Sequence, residues 1–422
     1  MITPSFNLTA TERVLPKLAL DFTTAALDSR VTFTRTTDAT HPATYVNSSG
    51  YIAASTNNSP RFDYDPVTLA CKGLLIEESR TNSATYSEAV GSWSVSYRTG
   101  VSISTDAVAA PDNQTTADII TLSGGAVTHA VGQAFSLTNT TTYTVSFFVK
   151  PVSWNYVKIG RSVGSALPAP GTWWWDLSDG SFHGSLGAGW SNATCTQQAN
   201  GFWRCSVTVA ANATNTDGPS IQATDNAGGT SPNSNGSDLA IWGLQWETGA
   251  FATSYIPTTS AALTRNADVA TMTGTNFSDW FNAAEGTLEV QGLFKGTANT
   301  NPTIAEISDG TTANNMILDW YANSLRGLMV AASSTKVISS GSLSTTGGTY
   351  KGALGYKTNN FGFSGLGATF TPNTTAAVPA GQTQLNIGCR PTSPALYWNS
   401  HVQKINYWPQ RLTNAELQAF SK

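Results

Sequence analysis

Alternation at the strand period dominates this chain. At residues 143–150, Tyr143, Val145, Phe147 and Val149 fall on one side and Thr144, Ser146, Phe148 and Lys150 on the other. That two-residue period marks a half-buried strand. Residues 156–160 set Val157 and Ile159 against Tyr156 and Lys158, and residues 173–177 set Trp173, Trp175 and Leu177 against Trp174 and Asp176. Residues 202–209 turn Trp203, Cys205, Val207 and Val209 one way and Arg204 the other. Residues 239–246 are apolar on both faces, as a central strand requires. Closely spaced strands, turn signals such as Ser178-Asp-Gly180 and almost no helical period predict a β-sandwich, with jelly-roll topology the preferred arrangement.

A second set of strand-like runs begins near residue 271 and ends at 401–408, where Pro409 stops the pattern. Thr413-Asn-Ala-Glu416 then has the form of a capping box and predicts a short helix through Phe420. Residues 1–60, by contrast, are a Thr/Asn/Ser-rich arm whose only extended pieces are 18–22 and 31–35. The arm is too poor in apolar residues for its own core, so it must pack on a sandwich of this chain or on a partner. Residues 263–271 echo residues 33–40, each carrying a Thr-Arg pair followed by an Asp. Residues 61–88 form a seam whose centre reads Gly73-Leu-Leu-Ile-Glu-Glu-Ser-Arg-Thr-Asn82. Leu74, Leu75 and Ile76 need burial, at roughly 1.5–3 kcal/mol each. The expectation is that they pack on the first sandwich while Glu77, Glu78 and Arg80 pair locally. The fold class is therefore all-β: two β-sandwiches preceded by an extended N-terminal arm. The expected units are 1–60, 61–88, 89–260 and 261–422.

Composition narrows the function. Charged residues make up only 11% of the 422, against about 25% in ordinary globular domains. The net charge is −4 and basic residues do not cluster, so nucleic-acid binding is not expected. No apolar run approaches the roughly 18 residues of a membrane span, and the first residues lack the basic-then-apolar order of a secretory leader. Cys71, Cys195, Cys205 and Cys389 lack zinc-ligand spacing. Counting out from a two-residue turn at Asn200-Gly201 places Cys205 opposite Thr196, which predicts free thiols unless a bulge or longer loop intervenes. His41, His129, His183 and His401 are scattered, with no nucleophile elbow nearby. Glu285, Glu289, Glu306 and Asp309 are the nearest approach to paired glycosidase acids, but residues 288–291 place only one acid on their strand. Catalysis is not expected.

Aromatics are the stronger signal, with 13 Trp in the chain. Indole faces stack on sugar C–H groups, and neighbouring amide, acid and guanidinium groups bond hydroxyls. Strand parity turns Trp154, Tyr156, Trp174, Asp176 and Arg204 outward, a candidate glycan platform. The alternative is that this face is buried against residues 61–88 or at a subunit contact. The Gly/Asn/Asp loop at 225–238 is dense in oxygen ligands and suits structural calcium or a plain turn. No other cofactor is expected.

Phe33-Thr-Arg35, Ala43-Thr-Tyr45, Pro60-Arg-Phe-Asp-Tyr-Asp-Pro66 and residues 73–82 resemble the signature of phage head-spike and tail-fibre proteins. Trp175-Asp-Leu-Ser-Asp-Gly180, Asn200-Gly-Phe-Trp-Arg204 and Trp242-Gly-Leu-Gln-Trp-Glu247 are similar to that family's jelly-roll module. Residues 401–409 and 412–417 resemble concanavalin-A-like (laminin-G-like) domains. The resemblance implies a bacteriophage virion fibre or spike subunit. Its arm would meet other virion proteins, its sandwiches would meet a host surface glycan, and by analogy it would be a homotrimer. It supplies no catalytic residues. The alternatives are a purely structural capsid or appendage decoration protein, and a glycan-degrading enzyme using Glu289 or Glu306.

Overall fold

The computed structural model describes residues 15–36, 43–125, 128–161, 164–229, 236–295, 301–322, 324–342, 348–391 and 396–422. Two antiparallel β-sandwiches with separate hydrophobic cores make up these residues. In the first, one six-stranded sheet runs Trp190–Gln197, Trp203–Ala210, Thr142–Pro151, Asp238–Thr248, Thr115–Leu122, Val101–Ala109. Facing it is a sheet in the order Ser181–Leu186, Gly171–Asp176, Tyr156–Arg161, Pro219–Ala223, His129–Gly132, Arg98–Thr99. The alternation read from sequence holds: Val145, Phe147, Val149, Val157, Ile159, Trp173, Trp175, Cys205 and Val207 are fully buried between the sheets. Phe148 points out of the sandwich, as its parity requires, yet is also buried. Trp242 and Tyr255 cover it at ring-centroid distances of 5.2 and 5.7 Å.

The second sandwich is discontinuous. One of its sheets pairs Gly362–Gly365, Gly348–Lys357, Glu285–Phe294 and Ser400–Trp408, then continues into Cys71–Ile76 and Phe62–Tyr64. The strand Ser400–Trp408 divides its remaining edge. Residues 400–402 pair with Cys71–Ile76, and residues 404–407 with Leu18–Asp21. The other sheet takes Thr32–Thr34 as its edge, beside Val269–Thr273. Leu18–Asp21 and Thr32–Thr34 of the arm are therefore strands of this chain's own second sandwich, while Ala43–Val46 and Ile52–Ser55 form a separate hairpin. Residues 1–14 and 37–42 of the arm, His41 among them, lie outside the described residues. At the other end Thr413 caps the helix Asn414–Phe420 in the expected box with Glu416.

Two expectations need correction. Leu74 and Ile76 do not pack on the first sandwich. They enter the core of the second, and Leu75 faces the other way, into the cleft toward the first. The reason is strand pairing, since Cys71–Ile76 is hydrogen-bonded between Phe62–Tyr64 and Ser400–Trp408. Gly73 makes that approach feasible: its φ is +108°, and a Cβ there would strike the Val402 carbonyl. The second correction concerns the cysteines. Gln197 pairs with Trp203, so the connection is a five-residue turn rather than a two-residue one. Cys195 then stands directly opposite Cys205 and the two form a disulfide.

Candidate functional site

Residues 77–82 and their long-range partners organise the ground between the sandwiches. Glu77 is buried and ion-paired to Arg61 at 3.0 Å and Arg265 at 3.5 Å. Ser254 donates to it through its amide and hydroxyl, at 2.8 and 2.6 Å. Asp268 is buried beside it, bound by Arg35 at 2.8 Å and also by Arg61. Burial alone would push the Glu77 carboxyl up, but Arg265 and Arg61 outweigh it and hold Glu77 well below the usual carboxylate range. Local pairing therefore describes only Glu78 and Arg80, whose Nε–Oε1 distance is 2.6 Å. Glu77 reaches partners far away in the chain. The echo between residues 33–40 and 263–271 acquires a meaning, because Arg35, just past Thr32–Thr34, and Arg265, at the end of Leu263–Arg265, converge on this one cluster. Five residues further along, Asn82 joins the seam to the first sandwich. Its amide donates to the Leu244 and Ile256 carbonyls at 3.1 and 2.8 Å and accepts from the amides of Ala84 and Trp246, both at 3.0 Å.

The predicted glycan platform is partly assembled. Tyr156 is the cross-strand neighbour of Asp176, and Trp154 meets Tyr156 edge-on at 6.0 Å. Trp154 is pinned by donating to the Thr224 carbonyl at 2.9 Å. On the next strand Trp174 stacks on His183 at 5.3 Å with planes 13° apart. The loop at 225–229 folds against this face: Gly228 lies on the Trp174 ring, and Lys158 Nζ donates to the Gly228 carbonyl at 2.9 Å. Thr172, Gln222, Arg161 and Asp225 line a shallow groove beside this loop, and the four predicted residues on this face are outside its lining. Trp154, Tyr156, Trp174 and Asp176 are all half-buried. Residues 61–88 do not cover them.

Arg204 does not belong to this group. Its outward direction was read correctly, but it sits on the opposite sheet, and outward there means toward the second sandwich. Parity along a strand gives a side of one sheet and says nothing about which sheet the strand joins. Arg204 lines a cleft of about 380 Å³ between the sandwiches. One wall carries Thr194, Thr196, Ser206 and Thr208. The other carries Asp63, Lys72 and His401, with Phe251 and Lys295 beside them. Asp63 accepts from Lys72 at 2.6 Å and is bonded to His401 Nε2 at 2.8 Å. This cleft as a whole is not legible in the sequence, because its residues come from stretches far apart in the chain. Its one legible signal was the density of Thr and Ser on residues 191–208, away from the sandwich core.

The acids considered for catalysis lie apart. Glu289 and Glu306 are on different sheets of the second sandwich and accept from Asn406 and Asn386 at 2.9 and 2.8 Å. Burial raises both above the ordinary glutamate range. The calcium reading concerns a loop of which residues 230–235 lie outside the described residues. Its flanking acids have other uses: Asp225 accepts the amides of Ala227 and Gly229, and Asp238 accepts the Thr121 hydroxyl. Among the described residues no three or more His, Cys, Asp or Glu side chains converge as a metal site. No helix of the described residues is long and apolar enough to cross a membrane. No protein-family model matches the chain, and no curated protein matches it.

Proposed function

We propose that this chain is a bacteriophage virion fibre or spike subunit whose first sandwich presents a glycan-binding face to the host envelope. The observation that carries the reading is the face bearing Trp154, Tyr156, Trp174 and Asp176. There, half-buried aromatic rings are pinned by hydrogen bonds and stacking, and Trp174 packs on Gly228 of the loop that lines a neighbouring polar groove. Pinned rings lose little freedom when a sugar stacks on them, so little of the binding energy is spent on ordering the site. The low surface charge suits a ligand that offers hydroxyls. A purely structural decoration role would cover the same rings with a neighbouring subunit, and measurement separates the two. Whole protein is tested for adsorption to host cells and to extracted surface polysaccharide, beside Trp174→Ala. The expected outcome is binding reduced at least ten-fold in the variant at unchanged melting temperature. Wild-type protein that binds neither cells nor polysaccharide, with Trp174 inaccessible in the assembled particle, would transfer the assignment to structural decoration.

A further inference from the structure

Two cations in the cleft between the sandwiches make no direct ion pair among the described residues, although Glu77 and Glu247 attract both from further away. Arg204 stacks over the Phe148 ring at 5.3 Å and donates one terminal nitrogen to Ser146 Oγ at 3.1 Å and the Thr253 carbonyl at 2.7 Å. Its Nε is buried and has no acceptor. Lys295 donates to the Ala252 carbonyl and lies 5.5 Å from the Phe251 centroid. The acids bordering the cleft are already engaged. Asp63 holds Lys72 and His401, while Glu77 holds Arg61 and Arg265. A buried N–H left without an acceptor is costly, and a guanidinium cannot lose its charge to escape that cost. An anionic ligand entering the cleft would satisfy both cations.

The wall that carries Arg204 says what kind of anion. Thr194 and Ser206 hydroxyls lie 2.7 Å apart, and Thr208 stands one pair further along the same strand pair. Each hydroxyl both donates and accepts, which matches a polyol and is more than a bare inorganic ion needs. A volume of about 380 Å³ is at the small end of the usual range for ligand sites, suited to one ring.

We propose that this cleft binds a carboxylate-bearing monosaccharide unit, its carboxylate held by Arg204 and Lys295 and its hydroxyls by Thr194 and Ser206. The inference shares with the proposed function the premise that the protein meets glycans, but it uses the other sheet of the first sandwich. It adds a second subsite of defined charge.

The test is calorimetric titration of the full chain with galacturonic acid and N-acetylneuraminic acid, and separately with galactose and sodium sulfate. At least one acidic sugar should bind at least ten-fold more tightly than galactose. Lys295→Gln should weaken that binding about ten-fold, the scale of one charge-assisted hydrogen bond. Arg204→Gln should weaken it further, and Trp174→Ala should leave it unchanged. Lys295 is exposed, so its variant carries the test even if Arg204→Gln fails to fold. Three results would each overturn the proposal: neither acidic sugar binds, galactose or sulfate binds as tightly, or Lys295→Gln changes nothing. Loss of cell binding in Trp174→Ala with sugar binding in the cleft intact would separate this site from the outer face.

Discussion

The first sandwich is drawn from one continuous stretch, with all of its sheet strands between Arg98 and Thr248. The second is drawn from three, beginning at Leu18 and ending at Trp408. Both reach the same architecture by different routes. Even the longest pairing of the first, Thr115–Leu122 with Asp238–Thr248, stays inside that one stretch. The second keeps its last long strand half-unpaired until the arm and the seam dock on it, and its core includes Leu18, Leu20, Phe33, Leu74 and Ile76. Closing such long loops costs chain entropy before any contact repays it. What looks like a linker in sequence is thus a structural strand, and the charged residues after it hold the two halves of the second sandwich together.

The largest test of that difference is to separate the units. Residues 81–260 expressed alone should keep near-ultraviolet circular dichroism and a single cooperative melt. Residues 263–422 alone should show neither, because Ile405 and Tyr407 lose the strands that cover their edge. Adding residues 15–80 back to the same chain should restore the melt. Cooperative folding of 263–422 by itself would abolish the contrast.

Next in size is Glu77→Ala. It leaves Arg265, and one side of Arg61, buried without their carboxylate, and breaking such a pair costs about 3–5 kcal/mol. Chemical denaturation should show that loss in the transition of the second sandwich. A shift confined to the first sandwich would contradict the placement of the cluster.

The smallest effect is a contrast in pH response. His401 lies in the second sandwich, and burial lowers its pKa even though Asp63 opposes this. The unfolded chain therefore takes up a proton first, and stability falls as pH drops below about 6.5. Glu88, packed against the first sandwich, is pushed up to about 7 by burial, with only partial relief from the Tyr255 hydroxyl. Its contribution is fully present below the unfolded value of about 4.3 and is lost as pH rises through the folded value. Melting temperature measured from pH 4 to 8 should therefore fall on the acid side for His401 and on the alkaline side for Glu88. His401→Gln should flatten the first slope and Glu88→Gln the second. Parallel slopes in the two variants would remove the distinction.

Much of the architecture was legible because alternation is a local property. The run from Tyr143 to Val149 and the pair Trp173 and Trp175 each announce their buried side within a few residues, and Thr413 announces its helix. Less of the site was legible. The outward direction of Trp154, Tyr156, Trp174 and Asp176 follows from parity, and Tyr156 meets Asp176 because their strands are neighbours. Arg204 had the same parity on the other sheet. Cys195 and Cys205 were misjudged because three extra turn residues restore a register that a tight turn would have shifted. Glu77 was read as a local partner because nothing near it in sequence points to Arg265, 188 positions away.

By itself the sequence determined the all-β class, the inward and outward sides of each strand, and the presence of a seam too apolar to be a linker. Those follow from the period of side chains along an extended backbone. Tertiary structure decided which sandwich claims the seam, which charges meet in its buried cluster, and which cations line the cleft. Those depend on pairing between strands hundreds of residues apart, where hydrogen-bond register and desolvation select partners that no local pattern records.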